Sequence, residues 1–197
     1  EPKPFDFECA RLELLKLLEL RRDGDQVSYD VRDILRRAIL DHDGMATMFV
    51  HELVRRVTRQ TAKRYDMVAT IGEYGAIFGA RIADALIVNY GQGHDVAQRF
   101  LELFTPAATD GVPHPLPEYR LQRTRSEKGY LLSGKRVVFA VPIVTPETWP
   151  EVLQQAAFLR SEQANSAEVC IVAIARIGRL ETDAPTGLTI NAIIDFR

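Results

Sequence analysis

The sequence predicts an α/β domain in which a doubly wound, mostly parallel sheet carries helices on both faces. Segments with apolar residues at spacings of three and four alternate along the chain with short apolar runs. The central runs, Val137 to Val141 and Glu168 to Ala175, are apolar almost throughout, as expected of strands covered on both faces. The 197 residues show no compositional break, so one domain over 1–197 is expected.

From Phe7 to Arg22, the apolar residues Phe7, Ala10, Leu14, Leu17 and Leu18 share one helical face, and Gly24 ends the helix. Val27 to Arg32 alternates and is β-prone. Asp43 to Tyr65 is expected to be a long helix, with Met45, Met48, Phe49, Leu53 and Val57 behind a cap-like Asp43. Asp66 to Gly72 reads as a short buried strand entering a Gly-bounded turn, and Ala76 to Leu86 as the helix after it. The stretch 89–117 is an atypical insert, read as a helix over Asp95 to Phe104 and then a loop with Pro106, Pro113, Pro115 and Pro117. Tyr119 to Arg125 reads either as a polar strand or as a mobile basic loop. The strand Val137 to Val141, a helix over Trp149 to Glu162, the strand Glu168 to Ala175 and a closing strand Leu188 to Phe196 complete the pattern.

Composition excludes several classes of function. With 46% hydrophobic and 26% charged residues the chain resembles soluble globular proteins. The longest apolar run, Val137 to Val144, is broken by Pro142 and is far shorter than the roughly 20 residues of a spanning helix. No membrane contact is expected, and an N-terminus without a basic or apolar leader points to a cytoplasmic home. The two cysteines, Cys9 and Cys170, fit reducing conditions. A net charge of −2 gives no global attraction to nucleic acid. His42, His51, His94 and His114 lack metal-ligand spacing, and there is neither a Gly-x-Ser-x-Gly elbow nor a Walker loop.

Four segments in order carry a resemblance to a known family. They are Val27-Ser-Tyr-Asp-Val-Arg-Asp-Ile-Leu, then Asp66-Met-Val-Ala-Thr-Ile-Gly-Glu-Tyr-Gly-Ala-Ile-Phe-Gly, then Tyr119-Arg120 with Arg123, Arg125 and Lys128-Gly129, and finally Gly134 to Trp149 with its following helix and strand. Together they resemble the type I phosphoribosyltransferases, orotate phosphoribosyltransferase most of all. The resemblance implies that family's fold, a homodimer, and a nucleotide or phosphate ligand. It assigns Gly72, Glu73, Tyr74 and Gly75 to the diphosphate turn, Thr145 and Thr148 to the 5′-phosphate loop, and Arg120, Arg125 and Lys128 to a catalytic loop that closes over the diphosphate.

The gripping residues depart from the family. Its two consecutive acidic residues, which accept hydrogen bonds from the ribose hydroxyls, fall on Val141 and Pro142, and neither side chain offers an acceptor. The phosphate loop is Thr145-Pro-Glu-Thr-Trp, where Pro146 lacks an N–H and Glu147 brings negative charge to an anion site. Residue preferences there describe a helix start, with Thr145 as N-cap and Pro146 at the first helical position. The Gly72 turn reads more readily as an ordinary strand-to-helix turn than as a diphosphate cradle, because Glu73 would repel the ligand. Trp149 reads as a core or interface anchor. The expectation is a diverged, non-catalytic protein that binds a nucleotide-like or anionic ligand or acts as a regulator, without metal or cofactor. One alternative is an active transferase using phosphoribosyl diphosphate and Mg²⁺; another is a structural or partner-binding domain.

Overall fold

A computed structural model describes residues 7–16, 19–23, 26–30, 35–40, 44–60, 64–91, 95–104, 118–121, 132–161, 166–180 and 188–196. Its main sheet contains β3 (Met67–Thr70), β4 (Ala97–Phe104), β5 (Glu118–Leu121), β6 (Arg136–Ala140), β7 (Ile143–Val144), β8 (Glu168–Ile177) and β9 (Thr189–Phe196). A separate antiparallel pair is formed by β1 (Glu19–Asp23) and β2 (Gln26–Asp30). In the main sheet β5 lies antiparallel to β4, and the other pairings among the described residues are parallel.

The order across the sheet is β5, β4, β3, β6, β8, with β9 on the far edge of β8. The short β7 continues β6: Arg136 pairs with Glu168 and Ile143 with Ala175, which is one unbroken register along the same edge of β8. Hydrogen bonds bridge the gap between the two strands. The Val141 N–H donates to the Val172 carbonyl at 3.0 Å, and the Pro142 carbonyl accepts from the Ile174 N–H at 2.8 Å. Proline is tolerated here because it supplies its carbonyl and leaves no ladder N–H missing.

Strand periodicity divides the core in two. Val68, Val138, Cys170 and Val172 face helices α1 (Phe7–Lys16), α2 (Met45–Gln60) and α3 (Gly72–Tyr90), with a π-helical turn at Arg36–Leu40. Met67, Ala69, Val137, Phe139, Val169 and Ile171 face α4 (Trp149–Arg160). Both faces of the central strands are thus buried, which is why their sequences are continuously apolar. Trp149, 2% exposed, belongs to the α4-side core, as its reading as an anchor required.

Several element readings need correction. Asp95 to Phe104 is not a helix: Ala97–Phe104 is β4, and Met67 to Thr70 pair with Ala97 to Phe100 along it. Its mixture of Leu, Phe, Gln, Arg and Glu tolerates either state locally, and pairing beside β3 decides. The first helix spans Phe7–Lys16 and Glu19–Asp23 is a strand, so the expected helix does not run to Arg22; Leu17 and Leu18 lie outside the described residues. Asp23 and Gln26 are register partners, separated by Gly24-Asp25, a pair suited to two-residue hairpins. The second helix ends at Gln60, and α3 extends beyond its apolar stripe to Gly72 and Tyr90.

Polar side chains tie together the N-terminal ends of the parallel strands. The Arg136 guanidinium pairs with Glu168 and lies over the Tyr65 ring, 5.3 Å from its centroid. The Tyr65 hydroxyl donates to Glu168 Oε1 at 3.3 Å, and Asp66 Oδ2 accepts from the Arg136 N–H at 2.9 Å. The opposite end is left for the site.

Candidate functional site

Chain connectivity singles out one crevice. After β3 the chain passes through α3 to β4 on one side, whereas after β6 and β7 it passes through α4 to β8 on the other. The β3–β6 junction is therefore the topological switch point, where ligands bind outside the carboxyl ends of strands in open α/β sheets. An open cleft of about 620 Å³ lies there, lined by Ile71 to Gly75 after β3, by Val141 to Ile143, and by Thr145, Glu147 and Thr148 before α4. Leu35 and the α4 residues Glu151, Val152 and Gln155 complete its wall.

Gly72 opens α3 with φ at 69°, a left-handed angle that favours glycine, and this angle turns the chain from β3 into the helix. No side chain caps α3 at Ile71. Two turns further on, α3 packs directly on β3: a Cβ built on Gly79 would lie 2.0 Å from Thr70 Cγ2. Gln98 of β4 holds the same turn, its Nε2 donating to the Ala76 carbonyl at 2.9 Å.

On the other wall, Thr145 and Thr148 close a turn upon themselves. The Thr145 N–H donates to Thr148 Oγ1 at 2.9 Å, and the Thr148 N–H approaches Thr145 Oγ1 at 3.4 Å. The Trp149 N–H donates to the Thr145 carbonyl at 2.9 Å. This corrects the expected helix start. Thr148 occupies the cap position, Pro150 lies in the first turn, and Pro146 falls in the preceding turn. The second proline suits the first helical turn, and the paired threonine hydroxyls stabilise the turn ahead of it.

Six residues singled out from sequence, Gly72, Glu73, Tyr74, Gly75, Thr145 and Thr148, line this one cleft. Arg120 lies on β5 opposite Glu102, and its side chain is outside the described residues, as are Arg125 and Lys128 altogether. Sequence reading missed Glu151, Val152 and Gln155. They lie on α4 beyond the loop, and the one local signal was the spacing of four between Glu151 and Gln155, which fits a helical contact. Gln155 Nε2 does donate to Glu151 Oε1, at 3.1 Å.

The fixed charge around the cleft is negative. Glu73, Glu147 and Glu151 line it, and among the described residues that line it there is no Lys, Arg or His. Glu73 and Glu151 sit in the first turns of α3 and α4, where they complement the helix dipoles. Among the described residues no group of three or more His, Cys, Asp or Glu side chains is placed to hold a metal ion.

No family model and no curated protein matches the sequence significantly. Solved structures do resemble the fold. Adenine phosphoribosyltransferase from Thermoanaerobacter pseudethanolicus is 16% identical with a TM-score of 0.58, over 94% of this chain and 99% of that one. The enzyme from Trypanosoma brucei, in complex with AMP, pyrophosphate and ribose-5-phosphate, is 11% identical with a TM-score of 0.59, over 94% and 79%. A hypothetical protein from Neisseria gonorrhoeae with bound ppGpp is 14% identical with a TM-score of 0.51, over 80% and 82%. At such identities the likeness establishes the architecture: the chain has the type I phosphoribosyltransferase fold. No helix among the described residues is long and apolar enough to cross a membrane.

Proposed function

We propose that this chain is a diverged, non-catalytic protein of the phosphoribosyltransferase fold that binds a nucleoside-like ligand in the switch-point cleft, as a binding or regulatory protein. One observation carries the reading: a cleft of small-molecule size lies at the switch point, and the described residues that line it include three glutamates and no cation. Val141 and Pro142 stand where the resembling family has its acidic pair, and they present an apolar surface. The self-paired Thr145–Thr148 turn stands where the 5′-phosphate would lie. Structures of the same fold hold AMP or ppGpp, which supports a base-bearing ligand. Repulsion from Glu73, Glu147 and Glu151 disfavours its phosphorylated forms. A phosphorylated ligand would need cations from elsewhere in the chain, and Arg120, Arg125 and Lys128 are the candidates.

Calorimetric titration with adenosine, cytidine, AMP, phosphoribosyl diphosphate and pyrophosphate, each with and without Mg²⁺, tests this. A nucleoside should bind more tightly than its monophosphate, and no pyrophosphate should be released when adenine or orotate is supplied with phosphoribosyl diphosphate. Mg²⁺-dependent turnover above a heat-killed control would overturn the proposal in favour of an active, orotate-type transferase. We extend the proposal to a homodimer: α3 is apolar around much of its surface, and Val88 near its end is 72% exposed. Light scattering at micromolar concentration should give twice the chain mass.

A further inference from the structure

This inference rests on the proposed nucleoside-like ligand of the switch-point cleft, and it concerns which part of that ligand the wall reads. Gln155 lies on the face of α4 that packs against the sheet, where Val152, Ala156 and Leu159 belong to the core. An amide is out of pattern among such neighbours, since a helix normally turns its polar residues to the other side. Yet Gln155 is 2% exposed, and it lines the cleft.

The two polar ends of this amide are placed differently. Nε2 donates at 3.1 Å to Oε1 of Glu151, one turn earlier on the exposed rim of α4. An ionised carboxylate only accepts, so this contact fixes which end of the amide is the nitrogen. The carbonyl oxygen, Oε1, is buried and has no hydrogen-bond partner among the described residues. A buried amide oxygen is rarely left in that state, because it has given up water without receiving another donor. Of the apolar residues that share the cleft with it, Val141 has already given its N–H to the Val172 carbonyl and Pro142 has none to give.

We propose that Gln155 determines the specificity of the cleft and selects a base that carries an exocyclic amino group. The flat base lies against Val141, Pro142 and Val152, and its amino group donates one N–H to Gln155 Oε1. The oxygen is recessed, so a donor that projects past the ring edge reaches it where a ring N–H falls short. The last torsion of a glutamine side chain is broad, so the amide can turn toward the ligand while the exposed Glu151 carboxylate follows it. A base with hydrogen, or with an accepting oxygen, at that position leaves Oε1 unpaired.

Two pairs of nucleosides, each differing only in the amino group, test this by calorimetric titration of the full chain: adenosine with purine riboside, and cytidine with its 4-deamino analogue. In at least one pair the amino member should bind about tenfold more tightly. Gln155→Met keeps the length of the side chain and removes its polar ends. It should bring that ratio to within about twofold of unity by weakening the amino member alone. It should also leave the melting temperature of the unliganded protein unchanged or higher, because an unpaired oxygen is removed from an apolar wall and Glu151 turns to water. A purely structural glutamine would not behave so: a fall of more than about 4 °C would show that the chain itself supplies the donor and would overturn the proposal. A ratio that survives in Gln155→Met would overturn it too. Equal or weaker binding of both amino members would remove the proposal while leaving the cleft as a nucleoside site. Binding of none of the four nucleosides would remove this inference together with the reading on which it rests.

Discussion

Gly79 shows how a single hydrogen atom positions the site. With a Cβ-to-Cγ2 separation of 2.0 Å against Thr70, an alanine cannot be seated without moving α3 away from β3. Both flanking atoms belong to buried residues, so relaxation is limited. Gly79→Ala is expected to destabilise the protein by about 1–3 kcal/mol through overpacking. Adding Thr70→Ser, which deletes Cγ2 and keeps the hydroxyl, should recover much of the loss, so the two changes should be non-additive in denaturant unfolding. A cost for Gly79→Ala below about 0.5 kcal/mol, the level of an ordinary surface change, would show that the close approach is absent. Sequence reading placed Gly72 and Gly75 at a turn but had no means of finding the Gly79 contact or the buried Gln155 amide. Both depend on which strand lies beneath the helix, and a helical stripe does not state that.

At the level of the element, a helix start close to Thr145 was legible, because Thr, Pro and Glu each have a positional preference there, but it was expected three residues before the cap at Thr148. Its detail was not legible. Two prolines four residues apart, Pro146 and Pro150, each suit a first helical turn, and only the folded chain shows Pro150 occupying it. Thr148→Ala removes the acceptor of the Thr145 N–H at 2.9 Å and should cost about 1 kcal/mol, the usual net worth of an intramolecular hydrogen bond. Thermal and denaturant unfolding should agree on this cost. The same turn should exclude anions: crystals soaked in phosphate or sulfate are expected to show no ordered ion on the amides of residues 145–149. Replacing Val141 and Pro142 by aspartates should not restore phosphoribosyl diphosphate binding, because on the proposed reading Pro146 and Glu147 would still stand where the phosphate would lie. An ordered anion there in the unmodified protein would reverse this reading. β4 gives the contrary lesson: its residues suit either state, and the strand exists because β3 is beside it.

Across the whole molecule, the two ends of the sheet divide the work. The winding was legible, since helical stripes alternating with wholly apolar runs leave little choice but a covered parallel sheet. The switch point was not, because strand order depends on pairings that no single segment encodes. The carboxyl ends open the cleft, while the amino ends gather buried Tyr65 and Cys170 with the partly exposed Arg136 and Glu168. There burial, more than the neighbouring Cys170 and Glu168 charges, pushes the Tyr65 hydroxyl well above its ordinary value of 10.0. Burial likewise pushes the Cys170 thiol above 9.0, although hydrogen bonds from Thr189 and Asn191 oppose it. Tyr90 is raised too, again chiefly by burial. Each of these groups holds its proton more tightly when folded than when unfolded. Their stabilisation is therefore complete below the unfolded values and is lost as pH rises through them, starting near 9 for the thiol and near 10 for the phenols. Each raised group steepens the fall by up to about 1.4 kcal/mol per pH unit. Tyr65→Phe should be less stable at neutral pH, since Glu168 loses the 3.3 Å hydrogen bond, yet it should lose stability more slowly than the native chain above pH 10. The slope is the decisive quantity, because the lost hydrogen bond is a constant offset whereas the phenol's proton linkage is not. Urea unfolding from pH 8 to 11 measures both, and parallel curves for the two proteins would show that Tyr65 ionises as freely folded as unfolded.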